Sequence, residues 1–310
     1  MVFWKGMNRF KNIEIAQGGV QIGLPGGPNP PTTDYFVDDT LGASGNSGLG
    51  WGTSVALKTI SQAMTKVTAL GTRGRARIFV APGPYAEDII TSLNTEHPFG
   101  QLIAVNPTKR SGGAAWVISG TTTEPALTVR ARGWLIDGFE FDANTTDGCV
   151  FLDGTTSNSS AKFTELANCL FSGLYSGSTD FGVDTDHASN LVVIRDSIFF
   201  GFASRAITAE TVVTEGWEIA RCIFRNSANY IAPKGSKGFA ESYIHDCVFF
   251  NQGGLFEPTI MIDMRVGRYN HITRNMLGGA YSEAGGYYAS STDFWYGNET
   301  SASHQASNPS

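Results

Sequence analysis

The side chains whose types and spacing could do chemistry gather in one acidic stretch. Asp180, Asp184 and Asp186 are followed at once by His187. Hydrolysis of a glycosidic bond uses two carboxyl groups, about 5–5.5 Å apart when configuration is retained and about 6.5–9.5 Å apart when it is inverted. A histidine beside such acids is a candidate general base. Asp153, Glu210 and Glu215 are further carboxylates that could join them. Asp196 and Asp246 form another spaced pair, but Arg221 falls between them, which favours a structural charge ladder over a catalytic dyad.

Other chemistries find little support. Asp180, Asp184 and Asp186 could hold a cation, but their spacing is not that of a calcium-binding helix–loop–helix, and no metal is expected. The five histidines are scattered, without HExxH spacing. No glycine-rich phosphate loop with its lysine occurs, nor a GxSxG elbow, so no cofactor is expected. A net charge of −6 gives no general footprint for nucleic acid. The basic run Arg73-Gly74-Arg75-Ala76-Arg77 directly precedes a strand and reads as a solvated loop. No apolar run is long enough for membrane insertion, and the first residues lack the apolar core of a signal peptide.

What must position these groups is a repeat. The phrases NCLFSG (168–173), DSIFFG (196–201), RCIFRN (221–226), DCVFFN (246–251) and RNMLGG (274–279) share one register. Their fourth letters are Phe171, Phe199, Phe224, Phe249 and Leu277, at intervals of 28, 25, 25 and 28 residues. Five places earlier stand Leu166, Ile194, Ile219, Ile244 and Ile272, and a weaker copy keeps Ile136 and Phe141. Self-similarity at this period means a solenoid. The units are short runs of Val, Ile, Phe and Tyr broken by Gly, Asn, Asp and Ser, which is strand punctuation. Three strands and three turns use one such unit, so the expected fold is all-β: a parallel β-helix whose coils stack at about 4.8 Å.

Column by column, the register predicts side-chain direction. Cys169, Ser197, Cys222, Cys247 and Asn275 share parity with the Phe column and point inward. The cysteines are expected as free thiols, although Cys222 and Cys247 are one coil apart. Asn168, Asp196, Arg221, Asp246 and Arg274 mark the corner, with charge signs alternating from Asp196 onward. Leu170, Ile198, Ile223, Val248 and Met276 point outward, and Phe200 and Phe250 extend the strip they form. An aligned apolar strip of this kind marks a contact surface, here read as a subunit interface of a homotrimer.

Along the chain, residues 1–33 read as an extended arm whose Phe3, Trp4, Met7 and Phe10 anchor it to a partner. Residues 34–95 are an opening segment with a capping helix on Val55, Ile60, Met64 and Val67, then a strand from Ile78 to Ala81. Residues 96–280 form the β-helix body, and 281–310 a C-terminal cap and tail where the repeat is lost.

The string FVDD…GNSGLGWGTSVALKTISQAM…RIFVAPGPYAEDI over residues 34–90 resembles the opening of right-handed parallel β-helix proteins of the pectin-lyase-like superfamily. That resemblance implies a strand and Gly-rich loop leading to a capping helix, then a turn that opens the first coil. The segment NTTDG (144–148) has one residue too many for the polygalacturonase signature, and the other motifs of those enzymes are missing. Arm, repeat and polar C-terminus together are similar in organisation to bacteriophage virion β-helix proteins: tailspikes, fibres and capsid decorations. The expectation is a structural virion protein, a homotrimer bound to a capsid or tail protein of the same particle. The alternative is a tailspike of the same fold that binds or cleaves a host surface glycan, as hydrolase or lyase.

Overall fold

The computed structural model describes residues 32–71, 75–93, 95–105, 116–119, 124–143, 148–154, 160–173, 181–185, 187, 189–209, 213–235, 237–251, 258–279 and 286–300, with the backbone of 13–16 and 19–22. Three parallel sheets of ten, nine and eight strands run the length of the molecule, here called sheets I, II and III. One coil shows the pattern: Val193–Arg195 in sheet I, Ile198–Phe200 in sheet II and Arg205–Ile207 in sheet III. Each pairs in register with the same strand of the next coil, for example Ile194 with Ile219 and Phe199 with Phe224. The fold is an all-β parallel β-helix, as the repeat predicts.

The interior follows the columns. Phe141, Phe171, Phe199, Phe224 and Phe249 are fully buried and form one continuous stack. Successive ring centroids lie 5.5, 4.5, 4.9 and 4.7 Å apart, with the last three pairs within 9° of parallel. Stacked aromatic pairs add about 0.5–1.5 kcal/mol each beyond the area they bury. The small column at the corner between sheets I and II also bonds. Ser197 Oγ accepts from Cys169 N–H (3.1 Å), Asn275 Oδ1 from Cys247 N–H (2.9 Å), and Asn298 Oδ1 from Asn275 N–H (3.0 Å). These side chains satisfy backbone donors left over where the strand ends. All four cysteines are free and buried, and burial pushes the Cys169 thiol up to about 12.

The corners turn on left-handed residues. Gly138, Asn168, Asp196, Arg221, Asp246, Arg274 and Gly297 all have φ between 53° and 87°. A second such column precedes sheet I: Phe99, Gly133, Phe163, Leu191, Gly216, Glu241 and Tyr269. Side chains other than Gly, Asn and Asp disfavour this conformation by about 1–2 kcal/mol, so the in-register ladders on both sides impose it.

Four features differ from the sequence reading. The coils begin earlier than residue 96, because Thr32–Val37 and Arg75–Val80 already belong to sheet I, and Gly83–Ala86 and Ile89–Ile90 to sheets II and III. Arg75-Ala76-Arg77 is therefore strand, and Arg77 grips Asp34 with two hydrogen bonds of 2.8 Å. The repeat also continues past 280: Trp295 pairs with Ile272, and Thr300 with Leu277. Residues 294–300 thus form further β-helix strands, with Trp295 and Thr300 in the Ile and Phe columns. Finally, the arm contains an antiparallel pair, Ile13–Ala16 with Gly19–Ile22, while Phe3, Trp4, Met7 and Phe10 lie outside the described residues.

The expected helix, α1, spans Ile60–Leu70 and buries Ile60, Ala63, Met64 and Val67. Thr59 and Gln62 form a capping box at its start. Glu87 accepts from Ile60 N–H (2.8 Å) and Ser61 N–H (2.9 Å), a carboxylate placed on the positive end of the helix dipole.

Candidate functional site on the outer face of sheet I

Of the acidic stretch, the structure describes Asp184 and His187. Asp184 belongs to the sheet III strand Phe181–Thr185, paired with Phe151, and is only 8% exposed. A residue held in a central strand cannot swing as a loop residue would. His187 is half-buried against Gly154, whereas Asp180 and Asp186 lie outside the described residues. Of the further carboxylates, Asp153 lies beside Arg130 at 3.5 Å, Glu215 is exposed at the strand Thr214–Glu215, and Glu210 is not described. A cavity of about 350 Å3 between α1 and the first coil, lined by Thr65, Asp88, Glu96 and Arg130 among others, holds none of these residues.

Chemistry-bearing groups converge instead on the outer face of sheet I. Strand parity turns Ile194, Ile219, Ile244 and Ile272 inward and the residues on either side of each outward. One outward column reads Glu165, Val193, Glu218, Tyr243, His271 and Phe294. The other reads Ala167, Arg195, Ala220, His245, Thr273 and Tyr296. The corner column of Asp196, Arg221, Asp246 and Arg274 borders them.

The charges close on one another from coil to coil. Arg195 Nε donates to Glu165 Oε1 (2.6 Å) and its Nη1 to Asp196 Oδ2 (3.1 Å). Arg221 Nε and Nη2 donate to the two oxygens of Asp196 (2.8 and 2.9 Å), and Arg274 does the same to Asp246 (2.8 and 2.9 Å). The structural charge ladder expected from the alternating signs is therefore present. Arg221 holds Asp196 below the usual carboxylate range, helped by Arg195. Asp246 is held far below it, by Arg274 first and His245 second.

His245 sits at the centre. Its Nδ1 lies 2.6 Å from Asp246 Oδ2 and its Nε2 3.1 Å from Glu218 Oε1. The Tyr243 ring stacks on it, with centroids 4.0 Å apart. Beyond this group the face turns aromatic. His271 meets Tyr243 edge-on (6.3 Å), Phe294 packs beside His271 (5.3 Å), and Tyr296 lies beside Phe294 (6.1 Å). Phe294 and Tyr296 are 52% and 63% exposed. These residues escape a reading centred on acidic loops. They stand six and four places before the Phe anchor, so the two columns flanking the buried aliphatic one hold the signal.

The outer face of sheet II is different. Leu170, Ile198, Ile223 and Val248 align in register and are half-buried, and Met276 is 50% exposed. Phe200 and Phe250 flank Arg225 in the neighbouring column, and the Arg225 guanidinium lies 5.3 Å from the Phe200 ring centroid. Upstream, Glu140 and Asp142 share this face two residues apart. Burial raises both carboxyls; the charge of Asp142 adds to the rise at Glu140, and a Ser172 hydrogen bond opposes it at Asp142.

No protein-family model matches the sequence, and no curated protein matches it. Solved structures do match in shape. An alginate lyase from Paenibacillus sp. str. FPU-7 is 13% identical with a TM-score of 0.56, covering 87% of each chain. The Escherichia coli protein ybhc is 13% identical with a TM-score of 0.55, covering 93% of this chain and 90% of its own. A pectin methylesterase from Aspergillus niger, in deglycosylated form, is 14% identical with a TM-score of 0.53, covering 92% and 90%. Likeness at this identity shows the fold alone, a right-handed parallel β-helix. The virion expectation draws no support from these structures.

Proposed function

We propose that this chain is a polysaccharide-processing β-helix protein whose glycan lies across the outer face of sheet I, toward its C-terminal end. The observation that carries this reading is the continuity of the face. An aromatic run of Phe294 and Tyr296 on one strand, His271 on the next and Tyr243 on the one beyond leads straight into the Glu218–His245–Asp246 network. Aromatic rings with exposed faces offer sugars an apolar platform, and a few placed polar groups fix orientation. The network supplies proton transfer. Glu218 keeps 45% of its side chain exposed while one oxygen meets His245, a placement suited to exchanging a proton with a bound sugar. The alginate lyase and pectin methylesterase of like fold support the polysaccharide reading.

The test is incubation of the purified chain with a panel of plant and bacterial polysaccharides, following binding by affinity electrophoresis and cleavage by the size of released fragments. Fragment release by the wild type, lost in Glu218→Gln while binding persists, is the expected result. A protein that neither binds nor cleaves any member of the panel overturns the reading.

A second reading rests on sheet II. Its aligned apolar column of Leu170, Ile198, Ile223, Val248 and Met276, with Phe200 and Phe250 alongside, favours an assembled state, such as a homotrimeric virion component. Light scattering that returns the mass of a single chain removes it.

A further inference from the structure

The geometry points to a glycan whose contacting sugars are uncharged, held by stacking and not by ion pairing. This deepens the glycan-face reading and rests on it. Between Glu165 and Arg274 the outer face of sheet I and its corner carry four carboxylates (Glu165, Asp196, Glu218 and Asp246), three guanidinium groups (Arg195, Arg221 and Arg274) and two imidazoles, His245 and, within the aromatic run, His271. All three guanidinium groups are engaged by carboxylates on this face, two of them through a pair of parallel hydrogen bonds. The His245 imidazole lies between Glu218 Oε1 and Asp246 Oδ2, the latter shared with Arg274, and the His271 ring lies edge-on to Tyr243 and beside Phe294. A uronate arriving here must find a cation for its own carboxylate. Taking Arg221 or Arg274 deprives Asp196 or Asp246 of its two parallel hydrogen bonds and leaves it only Arg195 or His245, which trades one charge-assisted pair for another and gains nothing.

The last two strands of the platform turn no carboxylate, lysine or arginine side chain outward. They present only His271, Thr273, Phe294 and Tyr296 outward. The corner beside them passes from Arg274 to Gly297, which has no side chain to offer. Asp293, next to Phe294, is occupied by the backbone: Oδ1 accepts from Asn270 N–H (2.9 Å) and Oδ2 from Ser290 N–H (2.8 Å). A neutral sugar ring needs only an apolar face to stack on and an occasional hydroxyl partner, and this end of the sheet supplies both.

The test compares length-matched neutral polysaccharides, a glucan and a galactomannan, with polygalacturonate and alginate, using affinity electrophoresis of the full chain across a salt series. The expected result is retardation by a neutral polymer that is insensitive to salt, since no ion pair is there to screen. The double variant F294A/Y296A should weaken that binding by about tenfold, the sum of two stacking contacts, with its melting temperature unchanged. Preference for a uronate polymer, with affinity falling steeply as salt rises, overturns this inference but leaves the glycan face standing. Neutral binding that survives the double variant overturns it by removing the platform. Binding to neither class fails the glycan-face reading itself, and the inference with it.

Discussion

Sheets I and II are made by the same coils, with only two residues between their strands, yet their outer faces have been settled by opposite rules. On sheet I, from Glu165 to Arg274, each coil carries a charge that is closed by the coil before or after it: Glu165 to Arg195, Asp196 to Arg221, Asp246 to Arg274. On sheet II, the matching outward column from Leu170 to Met276 is aliphatic or thioether throughout. The buried columns beneath both faces are apolar, aliphatic under sheet I and mainly aromatic under sheet II. Stacking identical coils fixes what points inward and leaves each outward column free to vary. Function in such a molecule is therefore written in columns, and adjacent columns can serve different ends.

The strongest way to break this contrast is to remove what the two faces share. Phe224 is in the middle of the ring stack, between Phe199 and Phe249. Phe224→Ala should cost about 3–5 kcal/mol, seen as a lower urea midpoint, and should weaken glycan binding and any self-association together. A variant that disturbs one face and spares the other shows that the faces do not lean on one core.

The charge ladder sharpens the contrast through pH. Asp196 has its carboxyl depressed by Arg221 first and Arg195 after it. A depressed carboxylate contributes stability above its unfolded value of about 3.9, and that contribution is lost as pH falls through the folded value. The urea midpoint of the wild type should therefore exceed that of Asp196→Asn at neutral pH, by an amount worth about 1 kcal/mol or less because the partners are solvated. The gap should close in acid. Asparagine tolerates the left-handed corner, so the comparison isolates the charge. A gap that persists at low pH assigns the effect to packing.

The smallest change in stability is expected on sheet II. Val248→Lys replaces a half-buried outward side chain with one that can reach solvent, and should move the unfolding free energy by about 0.5 kcal/mol or less. It should leave glycan binding on sheet I intact. If copies of the chain associate through this column, light scattering will show the variant as a single chain.

The buried half of the fold was legible because it repeats. Phe171, Phe199, Phe224 and Phe249 recur at near-constant spacing, and a stacked column needs the same residue type at each level. The final strands were not, because Trp295 and Thr300 stand at the Ile and Phe register positions in place of the repeated residue types. Nor were the corners at Phe163 and Leu191, whose side chains give no local sign of a positive φ imposed by neighbouring coils. The polar and aromatic face of sheet I was hard to read for a related reason. Asp184 drew attention as an acid among acids, yet it is fixed in a strand, while Tyr243 and His245 sit unobtrusively on either side of a buried isoleucine.

The ring stack has one more implication. Phe199, Phe224 and Phe249 are evenly spaced at 25 residues, and their rings are almost parallel. The stretch from 200 to 224 is thus a removable cassette: without it, Phe249 would meet Phe199 as Phe224 does now. Length becomes an adjustable property. A descendant chain could bring the acid pair at Glu140 and Asp142 nearer to the aromatic end by one strand spacing, about 4.8 Å, or move it farther away, without redesigning the interior.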